Sequence, residues 1–195
     1  RPPGHHAERS KSMGFCFFNN TAIAALRAAD VHHLQRIAIL DFDAHQGNGT
    51  IDILQNDQRF LLLSSFQHPF YPYTHYEQNK YTNLINVHLA QGATGTDFRQ
   101  GVEEHWAPAL KRFAPELILV SAGFDAHKDD PMAELNFEEQ DYAWISQWIC
   151  NQCQSRNIPW LAILEGGYDL NALARSATLF IAAMLEKPAS NQPPA

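Results

Sequence analysis

The chain alternates five short apolar runs with helical stretches, and this alternation is the feature that most restricts its fold. The apolar runs cover residues 36–41, 60–65, 84–89, 117–121 and 160–164. Continuous runs of this kind, bounded by polar residues or glycine, predict parallel strands that are buried on both faces. Helical patterns cover residues 20–29, 96–113, 137–156 and 171–185. We therefore predict an α/β fold with three layers, α/β/α, around a mostly parallel sheet.

Composition and charge limit the organisation and the partners of the chain. Its 195 residues and 45% hydrophobic content suit one core, so we expect a single domain over residues 1–195 with a frayed tail at 188–195. An aromatic, irregular loop is expected at 67–80. The net charge of -7 argues against nucleic acid as a partner and mildly favours cationic substrates.

Cysteine content and hydropathy bear on location. Three cysteines form no disulfide framework and indicate a reducing compartment, for which we expect the cytoplasm. No apolar run approaches the ~18 residues of a membrane span, so a membrane is not an expected partner. The oligomeric state stays open.

Acidic residues, histidine and tyrosine follow three of the predicted strands. Asp41 ends the first run and is followed by Asp43 and His45. Asp125 comes after the fourth run and Tyr168 after the fifth. Ligands of α/β sheets bind beyond the carboxyl ends of the strands, so these side chains are expected to lie together. Asp43 and His45 point to the same side of an extended chain. With Asp125 they predict a catalytic zinc site, which takes three protein ligands and keeps one position for water.

These residues also have ordinary structural interpretations. An Asp after a strand is often a turn or N-cap residue, which explains Asp125 alone as well as metal binding does. Adjacent histidines are often exposed loop residues, and we take His32 and His33 to be so. Three strand ends carrying such groups together favour the metal site. The Cys-x-x-Cys at 150–153 lies in a predicted helix without a second pair, which indicates helix packing.

Longer motifs resemble a known family. Residues 1–7 read Arg-Pro-Pro-Gly-His-His-Ala, residues 14–20 read Gly-Phe-Cys-Phe-Phe-Asn-Asn, and residues 41–50, 121–125, 130–131 and 165–170 follow in the order seen in histone deacetylases. The sequence is similar to class II and bacterial deacetylase-like amidohydrolases, including acetylpolyamine amidohydrolases. The resemblance runs from residue 1 to about residue 185. It implies an arginase/deacetylase fold and the zinc-dependent removal of acetyl groups from acetyl-lysine or acetylated amines.

The resemblance implies a role for each matching residue. The implied roles are zinc binding by Asp43, His45 and Asp125; acid–base chemistry by His5 and His6, with Asp41 and Asn48 behind them; oxyanion stabilisation by Tyr168; an acyl-lysine tunnel at Gly14, Phe15, Tyr71 and Met132; and a potassium site at Asp41, Asp43, His45, Ser65 and Phe66. Tyr71 departs from the Phe that the family usually carries. Core packing is the alternative for both aromatic residues of the tunnel.

The two histidines are expected to differ in their protonation. Asp41 is an anion and should raise the pKa of His5, whereas Asn48 is neutral and should leave His6 near its ordinary pKa of about 6.5. His6 would then be the better base near neutral pH, although the sequence alone does not assign the two roles.

Two other functions compete with the deacetylase. An arginase-like ureohydrolase needs two manganese ions and more carboxylates, but Gly47 and His127 stand where that family carries Asp. A catalytically inactive module that binds acetyl-lysine would lack Tyr168 or a histidine of the pair, and all three are present. A nucleotide-binding protein would carry a glycine-rich phosphate loop, which follows none of the runs.

Family members carry a sizeable region before the His pair, so we expect this chain to be a fragment of a longer protein, incomplete at its N-terminus. A sheet without that region would have an unpaired edge. The sequence does not choose between acetyl-lysine peptides and acetylated polyamines as the substrate.

Overall fold

Five parallel strands form one sheet in the order β3-β2-β1-β4-β5. The computed structural model describes residues 2–73, 82–154 and 156–185. The strands are β1 (Ile37–Asp41), β2 (Phe60–Gln67), β3 (Leu84–Leu89), β4 (Leu117–Ala122) and β5 (Trp160–Leu164). Asp41 at the end of β1 pairs with Ser64 of β2 and Ser121 of β4, so three strands end side by side.

Helices cover both faces of this sheet. They are α1 (Asn20–Asp30), α2 (Asn48–Leu54), α3 (Gly95–Gly101), a π-helical turn (Val102–Trp106), α4 (Ala107–Phe113), α5 (Glu139–Gln154) and α6 (Leu170–Leu185). Alternate residues of β1 enter different cores: Ile37 and Ile39 pack with α1 and α2, whereas Ala38 and Leu40 pack with the core that the later helices cover. The three-layer α/β/α fold with a parallel sheet is thus confirmed.

Most predicted elements are confirmed with small shifts of their ends. β2 continues to Gln67 and β4 to Ala122, so both strands reach further toward the site than the apolar runs indicated. The helix predicted over 96–113 is interrupted by the π-helical turn. Helix α2 was missed, because its sequence Asn-Gly-Thr-Ile-Asp-Ile-Leu contains glycine and β-branched residues, which have low helix propensity.

Some expectations concern residues that lie partly or wholly outside the described ranges. Of the loop expected at 67–80, residues 68–73 form neither helix nor strand, and residues 74–80 lie outside the described residues. The expected tail at 188–195 also lies outside them. No helix in the described ranges is long and apolar enough to cross a bilayer. β5 is an edge strand of the described sheet and exposes about half of Leu161; whether the chain is a fragment stays a prediction.

Candidate active site

Asp43, His45 and Asp125 converge where β1 and β4 end. All three are buried, and one potential ligand atom of each lies within 4.8 Å of the others. His45 Nδ1 is 3.1 Å from Asp43 Oδ1 and 3.1 Å from Asp125 Oδ2. His45 Nε2 donates to the carbonyl oxygen of Met132 at 3.2 Å, which leaves Nδ1 as the ring nitrogen available to a metal ion. The donor set and its spacing fit a divalent ion.

The charges of this cluster also favour a cation. Burial, followed by the charge of Asp43, raises the pKa of Asp125 to about 6. Burial acts on Asp43 in the same direction, but His5 and His45 outweigh it and lower the pKa of Asp43 below its usual range. Burial opposes protonation of His45, but hydrogen bonds to Asp125 and Asp43 raise its pKa to about 10. The two buried carboxylates therefore stabilise a proton on His45. A metal ion can supply this positive charge in place of the proton.

His5 and His6 lie next to this cluster with their rings 4.0 Å apart between centroids. His5 Nδ1 donates to Asp41 Oδ2 at 3.0 Å, and His6 Nδ1 donates to Asn48 Oδ1 at 2.7 Å. Both partners are the ones that the sequence indicated. His5 Nε2 is 3.6 Å from Asp43 Oδ1, so the far side of this ring faces the cluster of Asp43, His45 and Asp125.

The two histidines differ strongly in their affinity for a proton. Burial opposes the charge on His5, but Asp43 and Asp41 outweigh it and raise its pKa well above the ordinary value, as predicted. Burial, followed by the charge of His5, lowers the pKa of His6 to about 3. The expectation that His6 stays near its ordinary pKa was wrong, because it counted the neutral neighbour and not the desolvation.

A cavity of about 560 Å³ opens onto these residues. It is lined by His6, Gly14, Phe15, His45, Phe70, Tyr71, Met132 and Tyr168. All four residues expected in a tunnel are thus in its wall. Phe70 was not predicted, although it directly precedes Tyr71; its ring stacks on His45 at 5.5 Å between centroids.

Two glycines allow close packing within the site, because a side chain at either position would collide with its neighbours. Gly14 has φ +54°, and a Cβ there would lie 2.3 Å from Cδ2 of His6. A Cβ on Gly166 would lie 2.2 Å from Asp125 Oδ2 and 2.6 Å from Asp43 Oδ2. Phe15 adopts φ 61° next to Gly14, a costly conformation for a non-glycine residue, and its ring is 64% exposed at 5.9 Å from Tyr168.

Glu165, for which no role was predicted, anchors the loop of the His pair. It is fully buried, and its Oε2 accepts from the backbone N–H of Gly4 at 2.6 Å and of His5 at 3.1 Å. Its Oε1 accepts from Ser121 Oγ at 3.1 Å. This carboxylate therefore fixes the histidine loop to the ends of β4 and β5.

Asp130 does the same for the loop of the tyrosine. Its Oδ2 accepts from the backbone N–H of Tyr168 at 2.5 Å and of Asp169 at 3.0 Å. Its Oδ1 accepts from the backbone N–H of Met132 at 3.0 Å. One buried carboxylate thus joins Tyr168 to the wall of the cavity. The Asp-Pro motif at 130–131 was the sequence signal, but nothing local indicated the partners.

The residues expected at a potassium site lie at neighbouring strand ends. Gln67 N–H donates to the carbonyl oxygen of Ala44 at 3.0 Å, which sets the end of β2 beside the 41–45 segment. Ser65 Oγ is buried without a hydrogen-bond partner among the described residues. Phe66 is buried, and its ring lies 5.2 Å from that of His88.

Comparison with known proteins agrees with this geometry. The family model described as "Histone deacetylase domain" matches residues 1–184. This chain belongs to the histone deacetylase family. Histone deacetylase 10, chloroplastic, of Oryza sativa subsp. japonica is 40% identical over 197 residues, which cover 96% of this chain and 44% of that protein. A probable deacetylase of Methanothermobacter thermautotrophicus is 38% identical over 188 residues, 93% of this chain and 56% of that protein.

Solved structures of deacetylases share the fold. The HDA15 HD domain superposes with a TM-score of 0.87 at 33% identity, over 97% of this chain and 56% of that one. The acetylpolyamine aminohydrolase of Burkholderia pseudomallei gives 0.85 at 30% identity, over 94% and 54%. The predicted family and its arginase/deacetylase fold are therefore confirmed. The chain spans about half the length of these relatives.

Proposed function

We propose that this chain carries the catalytic site of a zinc-dependent deacetylase, which hydrolyses the amide of acetyl-lysine or of a related acetylated amine. The observation that carries the proposal is the buried cluster of Asp43, His45 and Asp125, because its histidine lines the same cavity as His6 and Tyr168. One residue of the cluster, a proposed base and a proposed hydroxyl donor thus line one cavity that can receive a substrate.

Zinc is the divalent ion that this ligand set suits best. Two carboxylates and one imidazole leave at least one position open, as catalytic zinc sites do. When bound, the ion polarises the scissile carbonyl and lowers the pKa of a water molecule. The binuclear arginase-like alternative is disfavoured, because a Cβ at Gly47 would lie 2.4 Å from Asp41 Oδ2 and leaves no room for a further carboxylate ligand.

The difference in pKa supports different roles for the two histidines. His6 is neutral, so its Nε2 accepts the proton of the water that attacks the carbonyl carbon. His5 holds its proton between Asp41 and Asp43, so it stabilises negative charge beside the reacting carbon. As the C–N bond breaks, the proton that His6 received passes to the leaving amine, which restores the neutral imidazole.

Tyr168 and the aromatic walls complete this reaction scheme. The Tyr168 hydroxyl donates to the oxyanion that forms on the carbonyl oxygen, and Asp130 holds the tyrosine backbone in place. Phe15 and Tyr71 contact the alkyl stem of the substrate from the cavity wall. Met132 lies at the same wall and connects it to the metal cluster through its carbonyl oxygen.

We also propose a structural potassium ion next to the zinc site. The buried Ser65 hydroxyl without a partner supports it, because a cation would satisfy that oxygen together with carbonyl oxygens of the 41–45 segment and of Phe66. Ser65→Ala should weaken the response of thermal stability to added potassium, measured against sodium.

We also propose a substrate class and a cellular compartment. The net charge of -7 and the similarity to an acetylpolyamine aminohydrolase support an acetylated cationic amine as well as an acetyl-lysine peptide. Three free cysteines, all buried, support the cytoplasm or another reducing compartment, and two plant relatives are named as chloroplastic. Residues 1–195 are proposed to belong to a single catalytic domain.

Hydrolysis assays with the full-length protein test the function. Acetyl-lysine peptides and acetylated polyamines are compared with metal-loaded, chelator-treated and zinc-restored enzyme, and the metal content is measured. We expect about one zinc ion per chain, loss of hydrolysis with the chelator and recovery with zinc. Two bridged ions per site, or no hydrolysis of either acetylated class, would contradict the proposal.

A further inference from the structure

Asn48, the partner of His6, has a partner of its own. The Asn48 side chain is fully buried at the start of α2. Its Oδ1 is 2.7 Å from His6 Nδ1, and its Nδ2 donates to Glu8 Oε1 at 2.7 Å. A second, weaker contact joins Asn48 Nδ2 to Met13 Sδ at 3.4 Å. His6, Asn48 and Glu8 therefore form a chain of hydrogen bonds that leads away from the cavity.

The chemistry of these groups fixes the direction of every hydrogen bond. The carboxylate oxygen of Glu8 accepts, so the face of the Asn48 amide that meets it is the NH₂ group. The opposite face is then the carbonyl oxygen, which also only accepts, so His6 Nδ1 must carry the hydrogen. The neutral imidazole of His6 is left with its lone pair on Nε2, the nitrogen that a general base needs.

Without Glu8 the orientation of the Asn48 amide, and with it the direction of the hydrogen bond to His6, would be undetermined. An amide can present either its oxygen or its nitrogen to a neighbouring imidazole, because the two ends have nearly the same shape. His5 has no such ambiguity, since its partner Asp41 is itself a carboxylate. The contact between His6 and Asn48 therefore needs a second group that orients the amide, whereas the contact between His5 and Asp41 does not.

The position of Glu8 is fixed by the backbone on both sides of it. The carbonyl oxygen of His5 accepts from Thr50 N–H of α2 at 3.1 Å, and Arg9 N–H donates to Asp52 Oδ2 of the same helix at 2.9 Å. Glu8 N–H itself donates to the carbonyl oxygen of Lys11 at 2.9 Å. The carboxylate thus reaches Asn48 from a segment that is attached to the helix carrying Asn48.

We propose that Glu8 is a positioning residue that acts through Asn48: it orients the amide and thereby holds His6 as the Nδ1–H tautomer, with Nε2 free to accept a proton. This role rests on the proposed function for its effect on the rate, but the tautomer of His6 is independent of it.

Substitutions of Glu8 separate this role from simple packing. Glu8→Ala leaves the amide free to turn, with Met13 Sδ as the remaining weak acceptor. Glu8→Gln keeps the length and offers an oxygen that can still accept from Asn48. Glu104→Ala is the control, because it removes one exposed carboxylate whose hydrogen bond is to Gln100 on the surface. All variants are made in the full-length, zinc-loaded protein, with metal content and thermal unfolding checked.

Two readouts are measured: steady-state kinetics, and the His6 tautomer from long-range ¹H–¹⁵N correlation spectra. Glu8→Ala should lower kcat by about tenfold to a hundredfold, the factor expected for a hydrogen bond to a charged group, and should leave KM within about twofold. The spectra of Glu8→Ala should show the Nε2–H tautomer alongside the Nδ1–H tautomer. Glu8→Gln should show a smaller share of the Nε2–H tautomer, and Glu104→Ala should match wild type.

Spectra of Glu8→Ala that show the Nδ1–H tautomer alone would overturn the proposal, whatever the rate. If Glu8→Ala does not fold, a Glu8→Gln variant with wild-type rate and no Nε2–H tautomer would overturn it, since an amide at position 8 no longer dictates the direction. A wild-type protein that hydrolyses no acetylated amine would refute the proposed function, and the tautomer spectra would still decide the role of Glu8.

Discussion

Replacing Asn48 by Asp changes the charge next to His6 at nearly constant shape. In the wild type, the amide of Asn48 links His6 Nδ1 and Glu8 Oε1 through two contacts of 2.7 Å. In Asn48→Asp, His6 gains a neighbouring anion and Glu8 loses its donor. The imidazolium form of His6 is favoured by the first effect, and the second places two carboxylates against each other.

The magnitude follows from the distances. Two unit charges about 4 Å apart interact by about 4 kcal/mol at an effective dielectric constant of about 20, which corresponds to about three pKa units. Repulsion from Glu8 raises the pKa of the new carboxyl and reduces its charge, so we expect His6 to gain about one to two units. Burial and the charge of His5 hold its pKa at about 3 in the wild type. The substitution therefore extends the protonated, inactive form of His6 to higher pH.

The raised pKa of His6 in Asn48→Asp has two consequences that can be measured. The acidic limb of the plot of kcat/KM against pH should move to higher pH in Asn48→Asp, because His6 must be neutral to act as a base. The free energy of unfolding should change as well. The lowered pKa of wild-type His6 favours the unfolded state as pH falls from about 6.5 toward 3. A raised pKa in the variant narrows the pH range over which this stability is lost.

The assay compares wild type, Asn48→Asp and the double variant Asn48→Asp with Glu8→Gln. The glutamine amide can donate to the new carboxylate and removes the repulsion, so the double variant should shift the limb further than the single one. An acidic limb that stays at the wild-type pH in both variants, with zinc content unchanged, would refute the assignment of His6 as the base that Asn48 contacts.

Three further substitutions test the remaining parts of the site. Tyr168→Phe should lower kcat by about 100- to 1000-fold, as loss of one oxyanion donor does, with zinc content unchanged by metal analysis; near wild-type turnover would exclude this role. Asp125→Ala should abolish zinc binding and hydrolysis, and stoichiometric zinc after dialysis would contradict its place among the ligands. Gly166→Ala should weaken zinc affinity in a competition titration with a chelator, because its Cβ would lie 2.2 Å from Asp125 Oδ2; unchanged affinity would show that the ligands can move aside.

The sequence predicted the sheet well because a buried parallel strand leaves a strong local signal. Each of the five strands is a run of apolar residues, and the end of each run indicates where side chains of a site can emerge. Asp43 and His45 follow β1 directly and Asp125 follows β4, so their convergence could be inferred from topology alone. Helix α2 left no comparable signal, and its first residue is Asn48.

Burial, in contrast, could not be inferred from the pattern of neighbouring charges. The predicted order of the two histidine pKa values is confirmed, since Asp41 and Asp43 raise that of His5. The value for His6 was wrong because desolvation is its largest cause, and desolvation depends on everything packed around the ring. A motif names a partner, but it does not say how much water the folded chain excludes.

The groups that orient the site were missed for a related reason. Glu165 meets the backbone of Gly4 and His5 across about 160 positions of the sequence, and Asp130 meets that of Tyr168 across 38. These carboxylates accept from backbone N–H groups, which every residue but proline has, so no pattern of residue types marks their partners.

This choice of partners bears on how the site keeps its geometry. Loops carry His5, His6 and Tyr168, and a loop positions a side chain only as well as its backbone is held. A carboxylate that accepts two backbone N–H groups restrains the chain itself through its backbone, as Glu165 does at the His pair and Asp130 at the tyrosine. Breaking either contact would leave a buried carboxyl group short of hydrogen-bond donors. Both loops are thereby fixed relative to the strand ends that carry Asp43, His45 and Asp125.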